Sequence, residues 1–581
     1  MEWISNFWTP RLNSDWTSSV AQKIAETSYQ IRCEWLLSDS ELEQARSRRD
    51  ITGDFIISFL DKAAAAITAL SAPELAKRIK QRDLTVMETT LAFCHRAAVA
   101  HQINNCLHEI FFDQAVQRAE ELDRFQEQTG TVLGPLHGVP ISLKDQFYVR
   151  GVETTMGYVG WINTVEGVAE SPEYKKRESV VVQDLLKLGA VLYCKTSLPQ
   201  TLLLGETHNN INGYTMNPVN QALSCGGSSG GEASLLALGG SCLGIGTDIG
   251  GSVRIPAAFC GIYAIKPSFA RFPYKDTANS NPAQTVVKSA VGFMSTSLAS
   301  LRLIQIALLS TKPWISDAEV VPMPWRPEYE KIEDRLCFGF LSCDDFVLPH
   351  PPILRALRMI EKAIKRKGHN TIRWNPPSHR EGSQIHNRFM YSDGGANTWE
   401  QLRLSGEAPI KELVGQLGAG PKPPLSLLEF QALGLHRIEY RQRYREYWNS
   451  TIEQAGTGRP ADAFIMPVAP HAAVIPGNYY YYGYSDVINL LDYTSIVIPV
   501  TKADRGLDKA EKHYTPLNKT DKMNWEAYNA DAYDGAPVGI QIVARQFQEE
   551  RCLSLAGEIV AALEAENINY FTIVPKMANP G

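Results

Sequence analysis

The chain has 581 residues, 44% of them hydrophobic and 21% charged, which is the composition of an ordinary soluble globular protein. Its formal net charge of −6 comes without a long basic run, which argues against a nucleic acid or an anionic membrane as a partner. No apolar run approaches the roughly 20 residues that span a bilayer, so we expect no transmembrane segment.

Cysteine and histidine usage predicts a reduced protein without a metal site. The ten cysteines are scattered and form no C-x-x-C pair, which in a chain of this length favours buried thiols over a disulfide framework. The twelve histidines show no ligand spacing, so no metal is expected. The first thirty residues lack the charged and apolar regions of a secretory signal. We therefore expect a cytoplasmic enzyme.

Two regions are expected along the chain. Residues 1–70 are predicted to form an N-terminal helical extension that packs on the core, and residues 71–575 are predicted to form one α/β domain. The start of that domain is marked by two capping boxes, Ser71-x-x-Glu74 and Thr85-x-x-Glu88, each of which predicts the beginning of a helix.

Strands and helices alternate through much of this domain. Strands are predicted at 139–144, 190–194, 336–341, 370–374, 464–468, 495–500 and 538–543, and helices at 114–125, 179–188, 353–367 and 550–564. Polar, weakly structured connections are expected at 274–283, 376–384, 418–424 and 501–524. The alternation predicts an α/β fold built around a large sheet.

The stretch Cys225–Pro256 holds ten glycines in thirty-two residues and is suited to a site made of backbone groups. Glycine reaches conformations closed to other residues and lets main-chain N–H groups approach a ligand closely. Upstream, residues 139–144 alternate apolar and polar side chains, as a half-buried strand does, which places Ser142 and Lys144 on one face.

Three chemistries compete for the glycine-rich stretch. A phosphate cradle is disfavoured because no lysine follows Gly226 or Gly246 at the P-loop spacing. A nucleophile elbow is formally matched by Gly226–Gly230, but the polar residues before it do not predict the strand that an elbow needs. Acyl transfer needs a hydroxyl, a base and N–H donors for the oxyanion. Lys144 is a base if burial keeps its amine neutral.

A longer pattern favours acyl transfer. The sequence GGSSGGEASLLALGGSCLGIGTDIGGSVRIPAAFCGIYAIKPS closely resembles the signature of the amidase signature family of serine hydrolases. The segments GVPISLKD, KTSLPQ, GYTMNP and APVGIQIVARQFQEE resemble further parts of that family, so the resemblance covers roughly residues 75 to 570. The cysteine before the first loop, the glutamate after it and the IPAAFCG run look most like fungal acetamidase-type members.

The resemblance implies both a fold and a set of roles. The fold is a large mixed sheet surrounded by helices. Ser252 matches the nucleophile, Ser228 the bridging serine whose peptide bond from Gly227 is cis, and Lys144 the base. The oxyanion hole would consist of the N–H groups of Ile249, Gly250, Gly251 and Ser252. The reaction would pass through an acyl-enzyme, release ammonia or an amine, and require no cofactor.

Other residues are expected to support this site. Ser229 is expected to hydrogen-bond within it, and Asp248 and Arg254 are expected to orient the oxyanion loop rather than contact substrate. Met156, Tyr158, Trp161 and Tyr391 are the candidates for the substrate pocket. An aromatic pocket would favour an apolar or aryl acyl group over acetamide itself.

The sequence therefore predicts an amidase that hydrolyses small-molecule carboxamides, with a homodimer as a candidate assembly. Three alternatives remain open at this stage. The same acyl-enzyme would permit acyl transfer to an amine, and the signature also resembles the amidotransferase subunit that acts on misacylated tRNA. A non-catalytic scaffold is disfavoured because Lys144, Ser228 and Ser252 are all present.

Overall fold

A computed structural model describes residues 16–511 and 513–568. Its central feature is a mixed sheet of eleven strands in the order β1-β3-β2-β6-β8-β7-β12-β13-β11-β9-β10, with β4 and β5 forming a separate pair. The strands are β1 (Leu107–Ile110), β2 (Pro140–Lys144), β3 (Val191–Thr196), β4 (His208–Asn209), β5 (Gly213–Tyr214), β6 (Gly244–Asp248), β7 (Tyr263–Lys266), β8 (Ala290–Ser295), β9 (Cys337–Phe340), β10 (Asn370–Arg373), β11 (Ala463–Pro467), β12 (Thr494–Lys502) and β13 (Pro537–Ala544). Strand β2 runs parallel to both β3 and β6, whereas β6 is antiparallel to β8.

Helices surround the sheet. They are α1 (Trp16–Tyr29), α2 (Asp39–Ser47), α3 (Asp54–Ile57), α4 (Lys62–Thr68), α5 (Ala72–Gln81), α6 (Val86–Asn104), α7 (Phe112–Thr129), α8 (Val180–Lys187), α9 (Gly230–Ala237), α10 (Arg254–Cys260), α11 (Leu298–Ser310), α12 (Pro351–Arg366), α13 (His379–Met390), α14 (Ala396–Ser405), α15 (Lys411–Leu417), α16 (Leu427–Ser450), α17 (Ile452–Ala455), α18 (Asp486–Leu491), α19 (Lys519–Glu526), α20 (Ala530–Tyr533) and α21 (Glu549–Ala565). Short 3-10 turns lie at Cys33–Trp35, Val159–Trp161, Pro313–Ile315 and Pro327–Glu330.

The structure confirms the α/β fold and most of the predicted elements. Both capping boxes are formed, at the starts of α5 and α6. The expectation of a half-buried strand at 139–144 is wrong, because every residue of β2 is buried, including Ser142 and Lys144. The connection expected at 376–384 is also wrong in part, since α13 begins at His379.

The N-terminal extension shares the core of the rest of the chain. Apolar side chains of residues 16–70, among them Trp35, Ile51 and Ile56, belong to the same hydrophobic cluster as strand β2. Helix α1 adds a buried charge, because Lys23 Nζ lies 2.6 Å from Glu109 and 2.7 Å from Glu153. The first fifteen residues of the predicted extension lie outside the described part of the chain. The division at residue 70 stays a prediction.

The described residues contain neither a helix suited to a membrane nor a cluster of metal ligands. None of the helices there combines the length and the apolar character that crossing a bilayer demands. No group of three or more histidine, cysteine, aspartate or glutamate side chains in the same residues is arranged to hold a metal ion.

Candidate active site

The lysine strand and the two serine loops meet at one edge of the sheet. Strands β2 and β6 are parallel neighbours, with Ser142 opposite Gly244 and Leu143 opposite Ile245. Their carboxyl ends therefore lie side by side, which brings Lys144 next to the loop that follows Asp248. The first serine loop reaches the same place because α9 packs across β2, β3 and β6.

Lys144 contacts the bridging serine directly. Its Nζ lies 2.8 Å from Ser228 Oγ and 3.2 Å from Thr247 Oγ1, and the side chain is fully buried. Burial lowers the pKa of Lys144 to about 7, against the opposing charges of Asp248 and Glu232. The amine is therefore poised to lose its proton near neutral pH, which is what a base in this position requires.

Glu232 is a buried carboxyl near this lysine that the sequence reasoning missed. It lies on α9 and accepts hydrogen bonds from Ser142 Oγ and, at 2.8 Å, from Thr196 Oγ1. Burial raises its pKa to about 7, while those two hydroxyls and the charge of Lys144 act in the opposite direction. The sequence held part of this information, because the strand pattern places Ser142, which donates to Glu232, on the same face as Lys144.

Ser228 and Ser252 line one small cavity, together with Thr247. The peptide bond between Gly227 and Ser228 is cis, as the resemblance implied. Ser252 lies in the turn between β6 and α10, and its carbonyl accepts a 2.9 Å hydrogen bond from the Ser229 N–H. The hydroxyl of Ser229 is buried and has no hydrogen-bond partner among the described residues, so the bond that this serine makes to Ser252 comes from its backbone.

Three of the four expected oxyanion donors make no hydrogen bond to the described residues. The Gly251 N–H donates to Asp248 Oδ1 at 2.9 Å and is therefore already engaged. The N–H groups of Ile249, Gly250 and Ser252 make no hydrogen bond within the described part of the chain. These three remain available for a developing negative charge.

Asp248 and Arg254 form a buried ion pair beneath this loop. The guanidinium donates to both carboxylate oxygens of Asp248, at 3.0 and 3.1 Å. Burial alone would raise the pKa of Asp248, but Arg254 holds it well below its ordinary range. The same carboxylate accepts from the Gly251 and Val253 N–H groups. Both charged residues thus orient the loop, and neither lines the cavities beside Ser252.

A cavity of about 40 Å³ adjoins Ser252 on the side of α13 and α18. It is lined by Leu202, Leu203, Leu204, Gly227, Ile249, Gly250, Ser252, Ile255, His386, Asn387, Met390, Tyr391, Gln416, Tyr482 and Asp486. A larger cavity lies between residues 340–346 and 373–380, and it is lined by neither Ser228 nor Ser252. Burial raises the pKa of its Cys343 to about 11, so that thiol is protonated near neutral pH and is not a nucleophile there.

Of the four predicted pocket residues, only Tyr391 lies on the wall of the cavity beside Ser252. Met156, Tyr158 and Trp161 are buried behind it, in a cluster that includes Leu202 and Leu204. Their polar atoms are used in packing, since Tyr158 Oη lies 2.8 Å from Ser280 Oγ and Trp161 Nε1 donates to Gln401. These three residues do not line the cavities beside Ser252, and their contact with substrate stays a prediction.

His386 and Asp486 are two of the polar wall residues that the sequence reasoning missed. His386, on α13, lies 2.7 Å from the Ile249 carbonyl oxygen. Asp486, at the start of α18, accepts from Ser383 Oγ at 2.6 Å, and burial raises its pKa to about 7. Both lie more than one hundred residues from the signature, and nothing in their local sequence indicates a site.

Comparison with known proteins shows the family of this chain. A model of the amidase family matches residues 88–553. The chain belongs to the amidase family. It is 40% identical to an acetamidase of Emericella nidulans over 94% of this chain and 97% of that one, and 39% identical to an acetamidase of Aspergillus oryzae over 94% and 98%.

A solved structure titled fatty acid amide hydrolase is similar throughout the fold, with a TM-score of 0.86, 31% identity and 95% of each chain covered. The resemblance to fungal acetamidase-type members of the family is confirmed. The protein is a hydrolase of amide bonds.

Proposed function

We propose that this amidase hydrolyses small carboxamides with Ser252 as the nucleophile, Ser228 as the proton relay and Lys144 as the base. The observation that supports these roles is the 2.8 Å contact between Ser228 Oγ and the amine of a fully buried lysine. A surface lysine would be protonated and could not accept the proton.

The first half of the reaction forms an acyl-enzyme. Ser252 Oγ attacks the amide carbon while its proton passes to Ser228 Oγ and the Ser228 proton passes to Lys144 Nζ. The carbonyl oxygen becomes an oxyanion, stabilised by the free N–H groups of Ile249, Gly250 and Ser252; one such donor is typically worth about 3 kcal/mol. When the C–N bond breaks, the departing nitrogen receives a proton returned from Lys144 through Ser228.

The second half repeats the relay with water. Water gives one proton to Lys144 through Ser228 and adds to the acyl carbon. The tetrahedral species then collapses to a carboxylic acid and free Ser252. Each group returns to its starting protonation state. No step calls on a group from outside the protein except substrate and water.

The cavity beside Ser252 supports an apolar acyl group. Its wall carries the aliphatic side chains of Leu202, Leu203, Leu204 and Ile255 next to Tyr391. Because binding to such a surface becomes more favourable in proportion to the apolar area that is buried, we expect an acyl chain longer than acetyl to bind better than acetyl. The relatives named acetamidase make acetamide the reference substrate for the comparison.

A substrate panel with matched variants tests the proposal. Purified protein should release ammonia from acetamide, hexanamide and benzamide, and Ser252→Ala should abolish release from all three. Ser47→Ala, an exposed serine on α2, is the control and should retain full activity. An acyl adduct trapped on the Ser252 peptide by mass spectrometry supports the role of this serine. Full activity of Ser252→Ala contradicts it.

We also propose a cytoplasmic location, supported by ten cysteines that are all free. A homodimer remains a proposal, which light scattering on the purified full chain tests.

A further inference from the structure

Five consecutive carbonyl groups of the oxyanion loop are each held by a hydrogen bond. The donors, in the order of the carbonyls of Asp248, Ile249, Gly250, Gly251 and Ser252, are Asn489 Nδ2 at 3.1 Å, His386 Nε2 at 2.7 Å, Ser485 Oγ at 2.6 Å, the Ile255 N–H at 2.7 Å and the Ser229 N–H at 2.9 Å. Three of these donors are side chains from α13, from α18 and from the residue before α18. They lie outside the glycine-rich stretch.

These bonds fix the directions of the N–H groups as well. In a trans peptide the C=O and the following N–H lie in one plane and point to opposite sides. The unoccupied donors of Ile249, Gly250 and Ser252 therefore share peptide planes with the carbonyls of Asp248, Ile249 and Gly251. Each of those carbonyl oxygens accepts its hydrogen bond on the side of the peptide opposite to the N–H group.

His386 holds the peptide plane between Ile249 and Gly250. Its ring is buried, and burial lowers its pKa to about 4, so the ring is neutral and carries one N–H. A carbonyl oxygen only accepts, which places that proton on Nε2. The ring also lies beside Gly250, since a Cβ built on that glycine would stand 3.6 Å from His386 Cε1.

We propose that His386 is a positioning residue for the oxyanion hole, which holds the Ile249 carbonyl so that the Gly250 N–H faces the reacting carbonyl oxygen. The inference rests on the proposed role of Ser252 as nucleophile. Without the His386 bond, the glycine on one side of this peptide leaves it free to rotate, and its N–H loses its fixed direction. Rotation would weaken binding of the oxyanion and leave ground-state binding of the amide nearly unchanged.

Two substitutions at this position separate positioning from packing. His386→Phe keeps an aromatic ring of similar size and removes the donor. His386→Gln keeps an N–H at about the reach of Nε2 and removes the ring. His436→Phe is the matched control, because that histidine is exposed on α16 and contacts Glu381. Thermal unfolding establishes that each variant is folded.

The expected result is a loss in kcat that is reversed only when the substituted side chain carries a hydrogen-bond donor. His386→Phe should lower kcat about ten- to one-hundred-fold, with KM changed less than threefold. Its affinity for a trifluoromethyl ketone, which forms a tetrahedral oxyanion on a serine, should fall by a similar factor. Its affinity for the product carboxylic acid should not fall. His386→Gln should recover at least half of the loss on a logarithmic scale.

Other outcomes overturn the inference. A folded His386→Phe with unchanged kcat means that the Gly250 N–H needs no such support. A rise in KM with constant kcat makes His386 a substrate contact instead, as does equal loss of ketone and acid affinity. If the unsubstituted enzyme is active and Ser252→Ala is active too, the proposed function has failed rather than the role of His386.

Discussion

The amine of Lys144 lies 2.8 Å from the hydroxyl of Ser228, and both side chains are buried. Because the pKa of Lys144 is lowered to about 7, the neutral, proton-accepting form prevails above that pH and the ammonium below it. We expect kcat/KM to fall tenfold per pH unit below about pH 7 and to level off above it. Initial rates on one amide from pH 5.5 to 9 measure this.

Substitution of the same lysine gives the companion result. Lys144→Met should lower kcat by about 10²- to 10⁴-fold, because the relay loses its acceptor. Lys365→Met, an exposed lysine on α12, should behave like the unsubstituted enzyme. A pH profile for the unsubstituted enzyme that stays flat down to pH 5 would argue against a neutral lysine as the base.

Glu232 tunes the base through its charge. An ionised carboxylate near Lys144 favours the ammonium, and because Glu232 has a pKa of about 7 it is ionised mainly near and above that pH. Glu232→Gln should therefore lower the pKa of Lys144 and move the upper part of the acid limb to lower pH, with the relative rate rising near pH 7. The variant also disturbs the hydrogen bonds from Ser142 and Thr196, which we expect to cost about 1–3 kcal/mol of stability. An acid limb that stays in place or moves upward would show that the charge of Glu232 does not reach the lysine.

Neighbouring glycines of the oxyanion loop should respond differently to alanine. Gly251 has φ +121°, and a Cβ there would lie 2.6 Å from both Ile255 Cδ1 and Ser485 Cβ. Gly251→Ala should destabilise the protein by about 1–3 kcal/mol and abolish most activity. Gly250→Ala meets only ordinary contacts, 3.6 Å to His386, and should keep the melting temperature within error. Calorimetry on the two variants makes the comparison, and equal melting temperatures would contradict it.

Lys23 ties helix α1 to the core through two buried carboxylates. Lys23→Met removes the cation and leaves Glu109 and Glu153 buried side by side, which we expect to cost about 3–5 kcal/mol of stability. Lys62→Met, an exposed lysine on α4, should cost less than 0.5 kcal/mol, roughly the limit for a surface substitution. Urea unfolding measures both. If Lys23→Met is no less stable than the control, the extension is not anchored in this way.

Much of the chemistry could be read from local sequence. The signature loops, the capping boxes at Ser71 and Thr85, and the strand that carries Lys144 are all patterns within a few tens of residues, where backbone conformation follows from nearby side chains. The prediction failed where both faces of a strand are covered. The alternation in β2 indicated a solvated face, but α9 and its Glu232 lie on that side.

The pocket shows the same limit more sharply. Met156, Tyr158 and Trp161 are near the lysine strand in sequence and aromatic or apolar in character, yet they pack behind the cavity, whereas Tyr391 lines it. Side-chain type predicts burial, but it does not predict which buried group meets an opening.

The sequence by itself determined the family, the α/β fold and the three residues of the proposed relay, because these depend on motifs that the chain carries locally. Only the tertiary structure decided what surrounds them. His386 and Asn489 reach the oxyanion loop across 137 and 241 residues, and Arg254 reaches Gln541 across 287. Contacts over such separations arise from the packing of whole helices and strands, which no short pattern records.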